Sequence, residues 1–217
     1  MERAELESWL RLTLTPGVGN DAARRLLASF GLPEQIFGQS TSALRQVVSA
    51  RQADALACEP DGLAQATDTT WNWLRSTHDE APASSGKSIL TLADSGYPGS
   101  LLAIDDPPLL LYLHGMAGLL DGTSDVALTR SLAASIAIVG SRNPTPQGEA
   151  NARQFAQALG QAEVCVVSGL ALGIDGAAHE GALLGGAPTV AVVGTGLDRV
   201  YPKRHLALAH RIAMQGA

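Results

Sequence analysis

The sequence predicts an α/β fold with a parallel sheet, preceded by a small all-helical domain. Three apolar runs carry the first half of that statement: residues 136–139, 164–167 and 189–193. Each is followed by a glycine-bearing turn and then a helical pattern. The turns are Gly140-Ser141-Arg142, Ser168-Gly169 and Gly194-Thr195-Gly196. The runs lie about 26 residues apart, the length a strand–helix–strand crossover needs. Upstream, residues 3–75 repeat apolar side chains at helical spacing, which carries the second half.

Element by element, Leu6, Leu10 and Leu14 mark a first helix. Ala22, Ala23, Leu26, Leu27 and Phe30 mark a second, which Gly31 should stop. Thr15-Pro16-Gly17-Val18-Gly19 joins the two. Further helices are expected over about 42–57 and 62–74. Residues 1–80 thus form a helical domain, 81–87 a polar, breaker-rich linker, and 88–217 the sheet domain. Within the latter, 88–92 is a short strand. Pro107-Pro108 precedes a buried strand over 109–113 that ends at Gly115. Residues 117–135 show no clear period and suit a surface excursion with one short helix. Pro144 and Pro146 delay the next helix to Gln147, and a last helix runs from Lys203 toward Met214.

With 46% hydrophobic residues the 217-residue chain can bury a core, and 4% aromatic residues give no general ground for expecting base stacking. No run is long and apolar enough for a membrane span, and the charged N-terminus is no secretory signal. Cys58 and Cys165 make no disulfide framework, which fits a reducing cytoplasm. The net charge of −6 argues against a nucleic-acid partner until its distribution is read. Residues 1–135 hold nine Lys/Arg against sixteen Asp/Glu, or −7; residues 136–217 hold six against five, or +1. Charge permits a nucleic-acid partner at the turn-rich half without supporting one.

In open α/β sheets the carboxyl edge of the strands is where ligands bind. Ser141, Arg142 and Thr145 gather at one helix start, with Gly140 closing the strand and Gly148 in the first helical turn. This arrangement suits a phosphate, because helix N-termini offer free N–H groups and arginine a two-pronged donor. An ordinary βα loop with a surface arginine has the same spacing. In the second turn, Gly173 permits a tight backbone before Asp175. Asp175 and His179 stand four apart on one helix face, as an acid/base couple or as a capping Asp and a packed His. No ligand set for a metal accompanies them. Gly194-Thr-Gly196-Leu-Asp198-Arg199 begins like a dinucleotide fingerprint, but Arg199 replaces its third glycine, so a nicotinamide site is disfavoured. Gly17 and Gly19 resemble a helix-hairpin-helix turn whose N–H groups hold a DNA phosphate, with Arg24 adding charge. A glycine-rich corner between packed helices, or a protein-docking module, fits the same residues.

With these residues in place, the chain resembles the DNA-processing protein A family (DprA/Smf). The likeness rests on Ile138-Val-Gly-Ser-Arg142 with Thr145 and Gly148, and on Ser168-Gly-Leu-Ala-x-Gly-Ile-Asp175 with Ala178-His179. It continues through Val190-Ala-Val-Val-Gly194, Gly196-Leu-Asp198 and Tyr201-Pro202; upstream, Tyr97-Pro98, Asp106-Pro-Pro108 and Leu111-Tyr-Leu-His-Gly115 also match. The resemblance implies a Rossmann-like sheet domain behind a helical domain of the SAM or helix-hairpin-helix type. It further implies a binder of single-stranded DNA rather than an enzyme. Such proteins form homodimers and help load a RecA-type recombinase in natural transformation, without a cofactor. The family pattern puts Gly140, Ser141 and Arg142 at the DNA, together with the Ser168-Gly169 turn and the loop from Leu170 through Gly173. Thr145, Gly148, Gly194 and Gly196 are further phosphate-binding candidates, with Asp175, His179 and Asp198 expected to shape the pocket. Gly17, Gly19 and Arg24 are accessory candidates.

Two departures stand out. Leu172 occupies the place of a family arginine, which removes a cation from the pocket rim. The chain stops at Gly216-Ala217, where related proteins continue with further strands, an Arg-Asn-Arg segment and often a winged helix; the sheet domain is therefore expected to be incomplete. The alternative from another class is a nucleotide-binding enzyme of phosphoribohydrolase type. Those enzymes carry a Pro-Gly-Gly loop followed by a glutamate, which this sequence lacks.

Overall fold

Leu6, Trp9, Leu10 and Leu12 recur every three to four residues, and in the computed structural model they are the buried face of α1 (Arg3–Leu14). The structure describes residues 1–76, 85–120 and 125–217. Gly17, at φ +78°, turns the chain into α2 (Asn20–Phe30), and Gly31, at φ +89°, ends it as expected. Then follow α3 (Pro33–Phe37), α4 (Thr41–Leu44), α5 (Ala50–Leu56) and α6 (Leu63–Arg75). The single helix expected over 42–57 is broken in two. Ser49 and Gln52 explain the restart: each side chain bonds the other's backbone N–H, at 3.3 and 3.0 Å, which fixes a new N-terminus. Leu12, Leu26, Ile36 and Leu56 form the centre of the helical core.

Strands β1 (Ser85–Thr91) and β2 (Leu110–Met116) pair with each other, and α7 (Gly99–Leu102) lies between them in sequence. The compact units divide the chain differently from the expected boundary at residue 88. Ile89–Leu111 belongs with Met1–Ser76, and the second unit is built on Tyr112–Ala217. Packing explains the difference. Leu109 sits in the helical core, Ile89 packs with Leu6, Leu10 and Leu63, and the Tyr97 hydroxyl donates to the Pro108 carbonyl at 2.8 Å. Most of the expected linker, residues 81–84, lies outside the described residues.

In the second unit, α8 (Ala117–Leu120) and α9 (Asp125–Ala133) replace the one short helix expected over 117–135. Three strands then form a parallel sheet in the order β3 (Ser135–Ala137), β4 (Cys165–Ser168), β5 (Thr189–Ala191). The register pairs Ala137 with Val167 and Ser168 with Ala191. The crossovers are α10 (Pro146–Gln161) and α11 (Ile174–Gly185). Helix α10 starts at Pro146 rather than Gln147. Proline needs no N–H partner at a first helical position, and the Thr145 hydroxyl caps the helix by accepting from Gly148 N at 3.1 Å. Ala156, Val166, Ala178 and Ala182 make one core cluster. Leu170, Leu183, Leu208 and Ile212 make another, held by α12 (Leu206–Gln215) after a 3₁₀ turn at Lys203–His205. Ala217 lies beside β5, accepting from Ala191 N at 2.8 Å and donating to the Thr189 carbonyl at 3.1 Å. Among the described residues no helix is long and apolar enough to cross a membrane.

Candidate nucleic-acid interface

Because β3, β4 and β5 are parallel and in register, the three turns that follow them leave the sheet at the same edge. The first two turns are fastened together. Ile174 N donates to the Ser141 carbonyl at 3.1 Å. Gly173 has φ +82° and ψ −123°, and a Cβ there would overlap the Ser141 carbonyl and stand 2.7 Å from Pro144 Cδ. Only glycine fits such a backbone at such an approach. Within the first turn, the Ser141 hydroxyl accepts from Asn143 N at 3.0 Å. Arg142 is exposed, and among the described residues it joins no ion pair. A fixed loop therefore presents an unneutralised guanidinium.

The second turn is strained in the same service. Leu170 has φ +62°, which costs a non-glycine residue of order 1 kcal/mol, and its side chain is 5% exposed in the core with Leu183 and Leu208. The His205 ring bonds the Leu170 carbonyl at 2.9 Å. Anchored in this way, Leu170 leaves the neighbouring Gly169 exposed. Ser168, expected to meet phosphate, is buried and donates its hydroxyl to the Ile138 carbonyl at 2.6 Å, across the sheet. Asp175 is also buried, and its carboxylate accepts from Ala171 N at 3.3 Å, tying loop to helix.

These turns enclose a cavity of about 200 Å³. Of the expected residues, Arg142, Gly169 and Gly194 line it, and Leu172 lines the same cavity. Ala171, Val193, Thr195, Tyr201 and Pro202 complete the wall and were not singled out as site residues. For Tyr201 the available signal was its place just past the third turn. Gly140, Ser141, Thr145, Gly148 and Gly173 build the loops behind the wall. Gly196 and Asp198 lie in an exposed turn in which Asp198 pairs with Arg199 at 3.3 Å.

His179 does not form a couple with Asp175. Its ring is 0% exposed, and Nδ1 lies 2.8 Å from the Thr189 hydroxyl. That hydroxyl already donates to the Val166 carbonyl at 2.6 Å, so it must accept from His179, which fixes the neutral Nδ1–H tautomer. Nε2 has no partner among the described residues, and protonating it would place a second N–H with no described acceptor inside the core. Burial accordingly pushes the His179 pKa down to about 4, with the Asp175 charge opposing and His205 assisting. Burial also pushes the Cys165 thiol up to about 11.

The helical unit treats its arginine differently. Arg24 Nη1 bonds Asp106 at 2.6 Å and the Pro107 carbonyl at 3.2 Å, and Nη2 bonds the Asp105 carbonyl at 3.3 Å. Arg25 pairs with Asp21 at 3.2 Å. The Gly17 carbonyl accepts from Gln52 at 2.8 Å. Arg24, expected as an accessory DNA contact, is thus neutralised inside its own unit. Hydrogen bonds from Arg24 and Asn20 hold the Asp106 carboxyl below the usual carboxylate range.

Fold and site together define an α/β, Rossmann-like protein with an arginine-lined pocket at the carboxyl edge of its sheet. Residues 88–217 match the model of the family described as DNA recombination-mediator protein A. The chain belongs to that family. Protein Smf of Synechocystis is 30% identical over 218 residues, covering 100% of this chain and 50% of the relative. DNA processing protein DprA of Streptococcus pneumoniae is 42% identical over 113 residues, covering 52% of this chain and 36% of the relative. The X-ray structure of the S. pneumoniae protein superposes with a TM-score of 0.63 at 26% identity, over 100% of this chain and 66% of that one. The chain spans half or less of the length of these curated relatives.

Proposed function

We propose that this chain binds single-stranded DNA without sequence preference, as the DNA-holding part of a recombination mediator that helps load a RecA-type recombinase during DNA uptake. The observation that carries the reading is Arg142, which joins no ion pair among the described residues, on a loop fixed by Gly173, lining a pocket together with Thr195 and the backbone of Gly169 and Gly194. Arginine and backbone N–H groups grip phosphate and fix the strand without reading bases. Family membership supports the partner class, and the names of the relatives support DNA processing as the process. Homodimerisation of the full-length form and action in the cytoplasm belong to the same proposal.

The protein acts here by binding rather than by catalysis. Asp175 and His179, the one pair that suggested acid/base chemistry, are buried, and the His179 ring is turned to Thr189. Fluorescence anisotropy with two unrelated single strands of equal length tests the proposal. Similar affinities that fall with salt are expected. Absence of binding, or release of free base from a nucleoside monophosphate, would overturn it in favour of the nucleotide-enzyme reading.

A further inference from the structure

The residues that line the pocket are of two chemical kinds. Arg142, Thr195 and the exposed backbone of Gly169 and Gly194 are polar, while Leu172, Val193 and the Tyr201 ring offer apolar surface. A site for phosphate alone needs only the first. Tyr201 is 68% exposed and lines the pocket, so its ring offers open surface there. Its phenol makes no hydrogen bond to any described residue. Its backbone, in contrast, is held on both sides. Val200 packs against the cluster of Leu170, Leu183, Leu208 and Ile212, and the Pro202 carbonyl accepts from His205 N at 2.9 Å. The ring is therefore mounted on a fixed stem, which lowers the ordering cost of binding against it.

We infer that Tyr201 is a stacking platform for one nucleobase, whose backbone phosphate lies at Arg142. The inference rests on the single-strand reading above and adds that the pocket takes a whole nucleotide rather than a phosphate. Stacking on a tyrosine face accepts any base, so the platform is compatible with binding that ignores sequence. It also gives the Leu172 side an occupant, since an aliphatic wall suits the edge or face of a base better than a charged oxygen.

The test uses the full chain and two strands with the same phosphates, one carrying bases and one built of abasic tetrahydrofuran units. Tyr201→Ala should weaken binding of the base-bearing strand roughly tenfold, the scale of one lost base–aromatic stack, and leave the abasic strand unchanged. Tyr201→Phe should keep wild-type affinity, and Tyr201→Leu should fall toward the alanine variant. A 2-aminopurine in the strand should be quenched by the wild type and recover its fluorescence with Tyr201→Ala. Equal weakening of both strands, or of neither, overturns the platform. Arg142→Ala separates this inference from the reading beneath it, because a phosphate contact must weaken both strands alike. If Arg142→Ala does so while Tyr201→Ala changes nothing, the platform alone fails. If Tyr201→Ala behaves as expected and Arg142→Ala has no effect, the platform stands and the phosphate cradle fails. Binding of neither strand by the wild type overturns both.

Discussion

The helical unit and the sheet unit each place a glycine turn next to an arginine, yet only one of them leaves the arginine available. Arg24 follows Gly17 and Gly19 and is held by Asp106 and two carbonyls. Arg142 follows Gly140 and has no such partners among the described residues. The two turns differ in the same sense. Gly17 lies in open space, with nothing within 4 Å of an added Cβ, whereas Gly173 has the Ser141–Arg142 backbone against it. The lesson is that a glycine-and-arginine pattern presents a free cation on a fixed loop only where packing holds the loop and no carboxylate answers the charge.

The largest expected effect sharpens the contrast between the two turns. Gly173→Ala combines a forbidden backbone angle with a clash and should destabilise the sheet unit by about 3 kcal/mol or more. Gly17→Ala meets only the backbone penalty, about 1 kcal/mol in the helical unit. Tryptophan fluorescence follows the helical unit, since Trp9, Trp71 and Trp73 all lie there, and hydrogen exchange at β4 follows the other. Equal losses would mean that Gly173 is an ordinary turn residue.

A smaller effect separates the units by pH. The fold favours neutral His179, so its contribution is complete above the ordinary histidine value near 6.5 and declines as pH falls toward about 4. The decline amounts to at most about 3 kcal/mol. Protection at β4, taken relative to the intrinsic exchange rate at each pH, should fall as pH drops through that window, and His179→Asn, which has no titrating ring, should remove this component of the pH dependence. An unchanged profile in the variant would remove His179 as its cause.

The smallest effect concerns the pocket rim. Leu172 lines the cavity beside Arg142. Leu172→Arg should tighten single-strand binding and steepen the slope of log affinity against log salt by roughly one unit, one more phosphate neutralised. If slope and affinity both stay the same, position 172 does not face the strand.

Much of the sheet unit was legible because its signals are local. Apolar runs of four or five residues, each closed by glycine and spaced for crossovers, read as strands feeding turns, and parallel order then brings Gly140, Gly169 and Gly194 to one edge. What was not legible depends on long-range pairing. Arg24 and Asp106 are 82 residues apart, so nothing near Arg24 announces that its charge is taken. His179 similarly meets Thr189, on the following strand, rather than Asp175 one turn away. The domain boundary moved for the same reason: Ile89 and Leu109 look like strand residues, and only the packing shows that they complete a helical core. Tyr201 sits in an irregular loop with no periodicity to mark which way its ring points.

The central claim is that the available arginine, and not the neutralised one, holds the DNA. Measuring single-strand affinity against salt for wild type, Arg142→Ala and Arg24→Ala, on two unrelated sequences, tests it directly. Arg142→Ala should lose roughly 1.5–3 kcal/mol on both sequences and about one unit of salt slope. Arg24→Ala should bind as the wild type does, with only the helical unit melting earlier. The opposite pattern, with binding lost on removing Arg24 and kept on removing Arg142, would contradict the account.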